Sequence, residues 1–107
     1  MPMHHYTDKD GYNGIRAAPN WRFRASQPPD PKNHPFGAYF TTLPPGTKNL
    51  AIRLGIPRRK TEYVFLFADA GDLTPLANDR GEFIFYSPED YYVDRARQEY
   101  HGKADEA

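Results

Sequence analysis

A chain of 107 residues makes one domain with a single small core, and its 14 Lys+Arg against 14 Asp+Glu leave no net field drawing it to nucleic acid or an anionic membrane. Cysteine is absent, which excludes disulfides and thiolate zinc sites, and no apolar run reaches the roughly 18 residues of a membrane span. The hydrophobic fraction is only 38%, but 8 Tyr, 7 Phe and 1 Trp bury much area per residue, so a small core can close.

Residues 3–7 read as a first strand, and no apolar stretch of a secretion signal follows Met1. Thr7 with Asp10 has the form of a capping box, so a helix is expected from about 8 to 18, with Tyr12, Ile15 and Arg16 on one face. Trp21 to Ala25 alternates apolar and polar, the period of a half-buried strand. The proline-rich stretch 27–35 is a loop. Phe36 to Thr42 is the next strand, stopped by Pro44-Pro45-Gly46. Thr47 opens a two-turn helix that ends at Gly55, and Pro57 to Lys60 is a basic turn. Thr61 to Ala68 is the strongest strand, its apolar run too long to leave either face in water. A loop over 70–80 precedes a strand from Glu82 to Tyr86. Ser87-Pro88-Glu89-Asp90 has the residues of a helix start, and the polar tail 101–107 reads as frayed. The order predicts an α+β domain over 1–100, a compact, twisted, mostly antiparallel sheet with two or three short helices.

Three segments carry the chemistry. His5-Tyr6-Thr7 with Gly14-Ile15, Gly37-Ala38-Tyr39-Phe40-Thr41, and Gly81-Glu82-Phe83-Ile84 resemble, in order and spacing, the three motifs of the poly-ADP-ribose polymerase and diphtheria-toxin branch of the ADP-ribosyltransferases. Within it the chain is most similar to the bacterial polymorphic-toxin subgroup named for a His–Tyr–Asp signature. The resemblance implies the split two-sheet fold of that superfamily and NAD as substrate, with no metal. It implies His5 as a ribose anchor offering a ring N–H, the Tyr6 backbone for the nicotinamide carboxamide, and Thr7 beside it. Tyr39 becomes the stacking plate, with the small Gly37 and Ala38 letting a flat ligand approach. Thr47 matches a carboxamide-contacting hydroxyl, and Leu50 stands where relatives have a second stacking tyrosine.

Glu82 is the expected catalytic carboxylate. Departure of nicotinamide builds positive charge on the ribose, and a fixed negative charge stabilises that state more than the neutral sugar. Asp69 and Asp72, after the strongest strand, are the fallback acids. Arg16, Arg22 and Arg24 are candidates for the pyrophosphate, because guanidinium forks pair with phosphate, although surface solvation accounts for any one of them. Arg58-Arg59-Lys60 reads as a solvated turn, with a phosphate or nucleic-acid contact as the minor alternative. His4, His34 and His101 lack metal-ligand spacing, and no Ser/His/Asp set or phosphate-cradling glycine loop appears.

The activity so implied is mono-ADP-ribosyl transfer to a macromolecule, a protein rather than nucleic acid, by a monomeric toxin domain. The resemblance places its action in the cytoplasm and allows a cognate immunity protein. Two readings of the N-terminus stand side by side, a complete minimal protein and the toxic end of a longer effector. Water as acceptor gives an NAD glycohydrolase instead, and a non-catalytic ADP-ribose or protein-binding module is the third reading.

Overall fold

The computed structural model describes residues 2–27, 35–76 and 83–107. A six-stranded sheet runs in the order β5-β6-β3-β1-β4-β8, and a two-stranded sheet pairs β2 with β7. Their bounds are Met3–Thr7 (β1), Trp21–Phe23 (β2), Ala38–Thr41 (β3), Tyr63–Phe67 (β4), Thr74–Pro75 (β5), Ile84–Ser87 (β6), Tyr91–Val93 (β7) and Gln98–Lys103 (β8). Every pairing among the described residues is antiparallel. With helices α1 (Lys9–Arg16) and α2 (Leu50–Leu54), this is the α+β architecture the element order predicts. No helix of the described residues is long and apolar enough to cross a membrane.

The core lies between the two sheets. Met3, Phe40, Phe65 and Phe67 point from the large sheet toward Trp21, Phe23, Tyr91 and Val93 of the small one, and all are buried. The rings meet mostly edge to face, as Phe23 does with Phe40 and Phe65, which suits the opposite charge of ring faces and edges. Tyr12 and Ile15 of α1 seal one side. The opposite face of the large sheet buries His4, Tyr6, Thr41 and Val64. Tyr6 ties that face to the segment leading into α2, its hydroxyl donating to the Leu43 carbonyl at 2.8 Å.

Local chemistry moves several boundaries. Asp8 rather than Thr7 caps α1, its carboxylate accepting from the Gly11 N–H at 2.9 Å. The second helix does not start at Thr47, because Asn49 holds a left-handed φ of 60° and breaks the turn there. The Thr47 hydroxyl instead donates to the Pro44 carbonyl at 2.6 Å. Gly55, at φ 68°, closes α2 with its N–H on Ile52 and that of Ile56 on Ala51. The basic turn is a 3-10 helix over Arg58–Thr61.

Two expectations are corrected. No helix starts at Ser87. Its hydroxyl turns the chain by bonding Glu89, and Asp90 is held by Arg22 at 2.6 Å and by the Ala25 N–H at 2.8 Å. The next residues form β7, because Tyr91 and Val93 alternate into the core. The tail is not frayed either: His101 to Lys103 belong to β8, paired to β4 through Phe65↔His101 and Tyr63↔Lys103. Backbone pairing holds this polar strand where its side chains gave no sign of burial.

Candidate functional site

The site arises where β1 and β3 part. The two strands pair only at His4↔Thr41, and His5 fills the space beyond that pair. Its Nδ1 lies 2.9 Å from the Tyr39 carbonyl oxygen. A carbonyl only accepts, so Nδ1 carries the proton, and burial holds the ring neutral by pushing its pKa down to about 4. The other nitrogen, Nε2, is then an acceptor. This corrects the expected role, in which His5 offers a ring N–H to a ligand: with Nδ1–H on Tyr39, Nε2 can only accept. Among the described residues no buried side-chain nitrogen or oxygen lacks a partner, and Nε2 finds none among them, so it is not fully sealed.

Strand alternation fixes the neighbouring groups. Tyr39 turns its carbonyl toward β1, and Thr41, two residues on, does the same, with its oxygen 3.3 Å from the His4 ring. His4 therefore faces β3 with its backbone, and so does Tyr6 two residues further. At Tyr6 no β3 residue pairs with β1, so its N–H and C=O look into the gap.

The same register separates the two aromatic candidates. Thr41 and Tyr39 share a face with His4, whereas Phe40 shares one with His5. The His5 ring packs on Phe23 and Phe40, at 4.7 and 5.5 Å between centroids, and the Tyr39 ring stacks on Tyr86 at 5.7 Å. His5 and Tyr39 thus meet ring to carbonyl, from opposite faces, and not ring to ring. The Tyr39 hydroxyl donates to the Pro35 carbonyl, and burial raises its pKa. Gly37, expected to let a flat ligand approach, is also needed by the sheet. A Cβ there would come within 2.5 Å of the Ser87 carbonyl oxygen, so its smallness lets β3 and β6 close together.

A cavity of about 460 Å³ runs through the gap, within the size range of small-molecule sites. His5, Tyr6, Thr7 and Tyr39 line it, and the chain from Ile52 to Ile56 forms the far wall. Arg24 stands on the β2 side, with Arg53 and Lys60 on the α2 side. No acid is among the described lining residues, so the mouth carries three cations in a chain of zero net charge. Arg53 was not foreseen, and Lys60 only as part of a basic turn with a minor phosphate reading; the signal that points to both is the absence of acids in their segment.

The remaining candidates lie elsewhere. Thr47 and Leu50 line a broader trough of about 970 Å³ on the other side of α2, so neither reaches the cavity that holds His5. Arg16 bonds Asn13 at 3.1 Å and lies over the Tyr12 ring, and Arg22 is paired with Asp90. Asp72 accepts the Tyr91 hydroxyl at 2.6 Å, and the Asp69 carbonyl is bonded by Arg97; neither lines the cavity. Glu82 lies outside the described residues. Phe83 accepts from the Thr41 hydroxyl at 2.7 Å and the Thr42 N–H at 3.2 Å, and Ile84 lines the cavity. Among the described residues no group of three His, Asp or Glu could hold a metal ion. No protein-family model, curated protein or solved structure matches the chain.

Proposed function

We propose that this chain cleaves NAD between nicotinamide and ribose and transfers the ADP-ribosyl group to a macromolecule. The observation that carries the reading is the parted β1/β3 pair. It offers the Tyr6 backbone beyond the last β1–β3 pair, an imidazole acceptor at His5, and a cation-rimmed mouth, all on one cavity. A carboxamide needs one acceptor and one donor side by side, which the Tyr6 backbone supplies. A ribose hydroxyl needs a fixed acceptor, which is His5 Nε2. A pyrophosphate needs cations without competing acids, which are Arg24, Arg53 and Lys60. Thr7 and Tyr39 complete the wall.

In the reaction the bond from ribose C1′ to the nicotinamide nitrogen breaks, and its electron pair leaves with neutral nicotinamide. The acceptor's lone pair forms the new bond to C1′, and the acceptor's proton passes to solvent. Glu82 is the carboxylate proposed to face the developing ribose cation. Such a fixed charge acts on the transition state rather than on binding.

NAD labelled in its adenylate half tests this directly. Nicotinamide should be released and the label should move to macromolecular material in a cell extract. Glu82→Gln, which keeps the side chain's size, should lose ~10²–10³ in kcat with NAD affinity nearly unchanged. Absence of nicotinamide release from the unaltered protein sinks the proposal, and release without transfer leaves water as the acceptor.

A further inference from the structure

The segment that supplies the far wall of the cavity is charged in a way the whole chain is not. From Leu43 to Thr61 the sequence holds five cations, Lys48, Arg53, Arg58, Arg59 and Lys60, and no acid, although the chain balances 14 against 14. All five are exposed. The Arg22–Asp90 contact is the ion pair found among the described residues, and none of the five takes part in one. Ile52 stands among them 80% exposed, beside Arg53 at the mouth. Unpaired cations packed into one short segment repel each other, and that repulsion is relieved only by counterions or a polyanion.

We infer that this segment docks single-stranded nucleic acid as the acceptor of the ADP-ribosyl group. The inference rests on the transfer reading above and names its acceptor class. A phosphodiester backbone matches a run of cations with no interleaved acids, and a splayed base can cover the exposed Ile52. A duplex fits less well, since its stacked bases cannot approach a reacting carbon inside a 460 Å³ cavity without being extruded. An acidic peptide would satisfy the charges but makes no use of an apolar perch between them.

Fluorescence anisotropy of the whole chain with a labelled single-stranded oligonucleotide of about 20 nucleotides, over a range of salt, tests the surface apart from catalysis. Five backbone contacts give a log–log salt slope of about −3.5, at about 0.7 per contact. The triple variant Lys48→Gln/Arg58→Gln/Arg59→Gln should shallow that slope by about 2. None of these three lines the NAD cavity, so nicotinamide release should be unchanged. Transfer of label from NAD to the oligonucleotide should fall with the lost binding. Failure of the oligonucleotide to bind, equal binding by the triple variant, or stronger competition from polyglutamate or from duplex each overturns the inference. Oligonucleotide binding without nicotinamide release retains the surface and removes the transferase. Nicotinamide release without oligonucleotide binding retains NAD cleavage and removes the surface.

Discussion

His5 does two jobs with one proton. By donating Nδ1–H to Tyr39 it replaces a missing ladder bond between β1 and β3, and the same bond leaves Nε2 as an acceptor. Burial then sets a pH dependence whose sign follows from the folded pKa of about 4, below the 6.5 of free imidazole. As pH falls from 6.5, the unfolded chain takes up the proton first, so stability drops through the window from 6.5 to 4. The loss reaches at most about 2 kcal/mol at pH 5. His4 is shifted in the same direction, chiefly by desolvation, and steepens the fall. Urea midpoints measured between pH 7 and 5 should therefore decline, and His5→Asn, which keeps a donor but cannot titrate, should decline less. Equal declines in both proteins would mean that His5 is not desolvated. Asp72 makes the contrasting case. Its carboxylate holds the Tyr91 hydroxyl, which also takes Arg97 at 2.5 Å, so Asp72→Asn should cost roughly 1–2 kcal/mol of stability. NAD cleavage should survive that change, unlike Glu82→Gln, and its loss at Asp72 would move the chemistry to the end of β4.

The helix α1 separates two glycines that the sequence shows as alike. A Cβ on Gly11 would sit 2.0 Å from the Thr7 hydroxyl, whereas one on Gly14 meets nothing within 4 Å. Gly14→Ala should stabilise by up to about 1 kcal/mol through helix propensity alone. Gly11→Ala gains the same propensity but must displace Thr7 in the cavity wall, an overpacking cost of about 1–3 kcal/mol, so it should be neutral to destabilising. Thermal midpoints of the two variants decide it; identical shifts would deny the contact between α1 and β1. Elements whose period was clean were legible in the sequence: β1 matches its expected span, and β3, β4 and α1 fall inside theirs. β8 was not, because a strand that gains its place by pairing with a buried neighbour needs no apolar pattern of its own. β7 does alternate at Tyr91 and Val93, but over only three residues, and Ser87-Pro88 before it read as a helix cap: a hydroxyl that turns the chain looks alike before a helix or a strand.

At the scale of the whole molecule, composition concealed what position shows. Net charge zero spoke against polyanions, yet the balance is made by acids placed away from the 43–61 segment. The candidate site was half legible. His5, Tyr6, Thr7 and Tyr39 do meet at one cavity, since strand order follows motif order. Thr47 and Leu50 missed it because Asn49 reverses the chain before α2, a backbone event that spacing cannot foresee. The central place of β1 has a further consequence, in the order of assembly. Its partners are β3 and β4, whose residues Thr41 and Phe67 lie far along the chain, and β4 in turn is completed by β8, near the end of the chain. Every such contact closes a long loop before it gains any burial, the topology that folds in milliseconds to seconds rather than microseconds. On the ribosome β1 must wait, unpaired, for both neighbours to emerge. The cleft therefore cannot form until both have emerged.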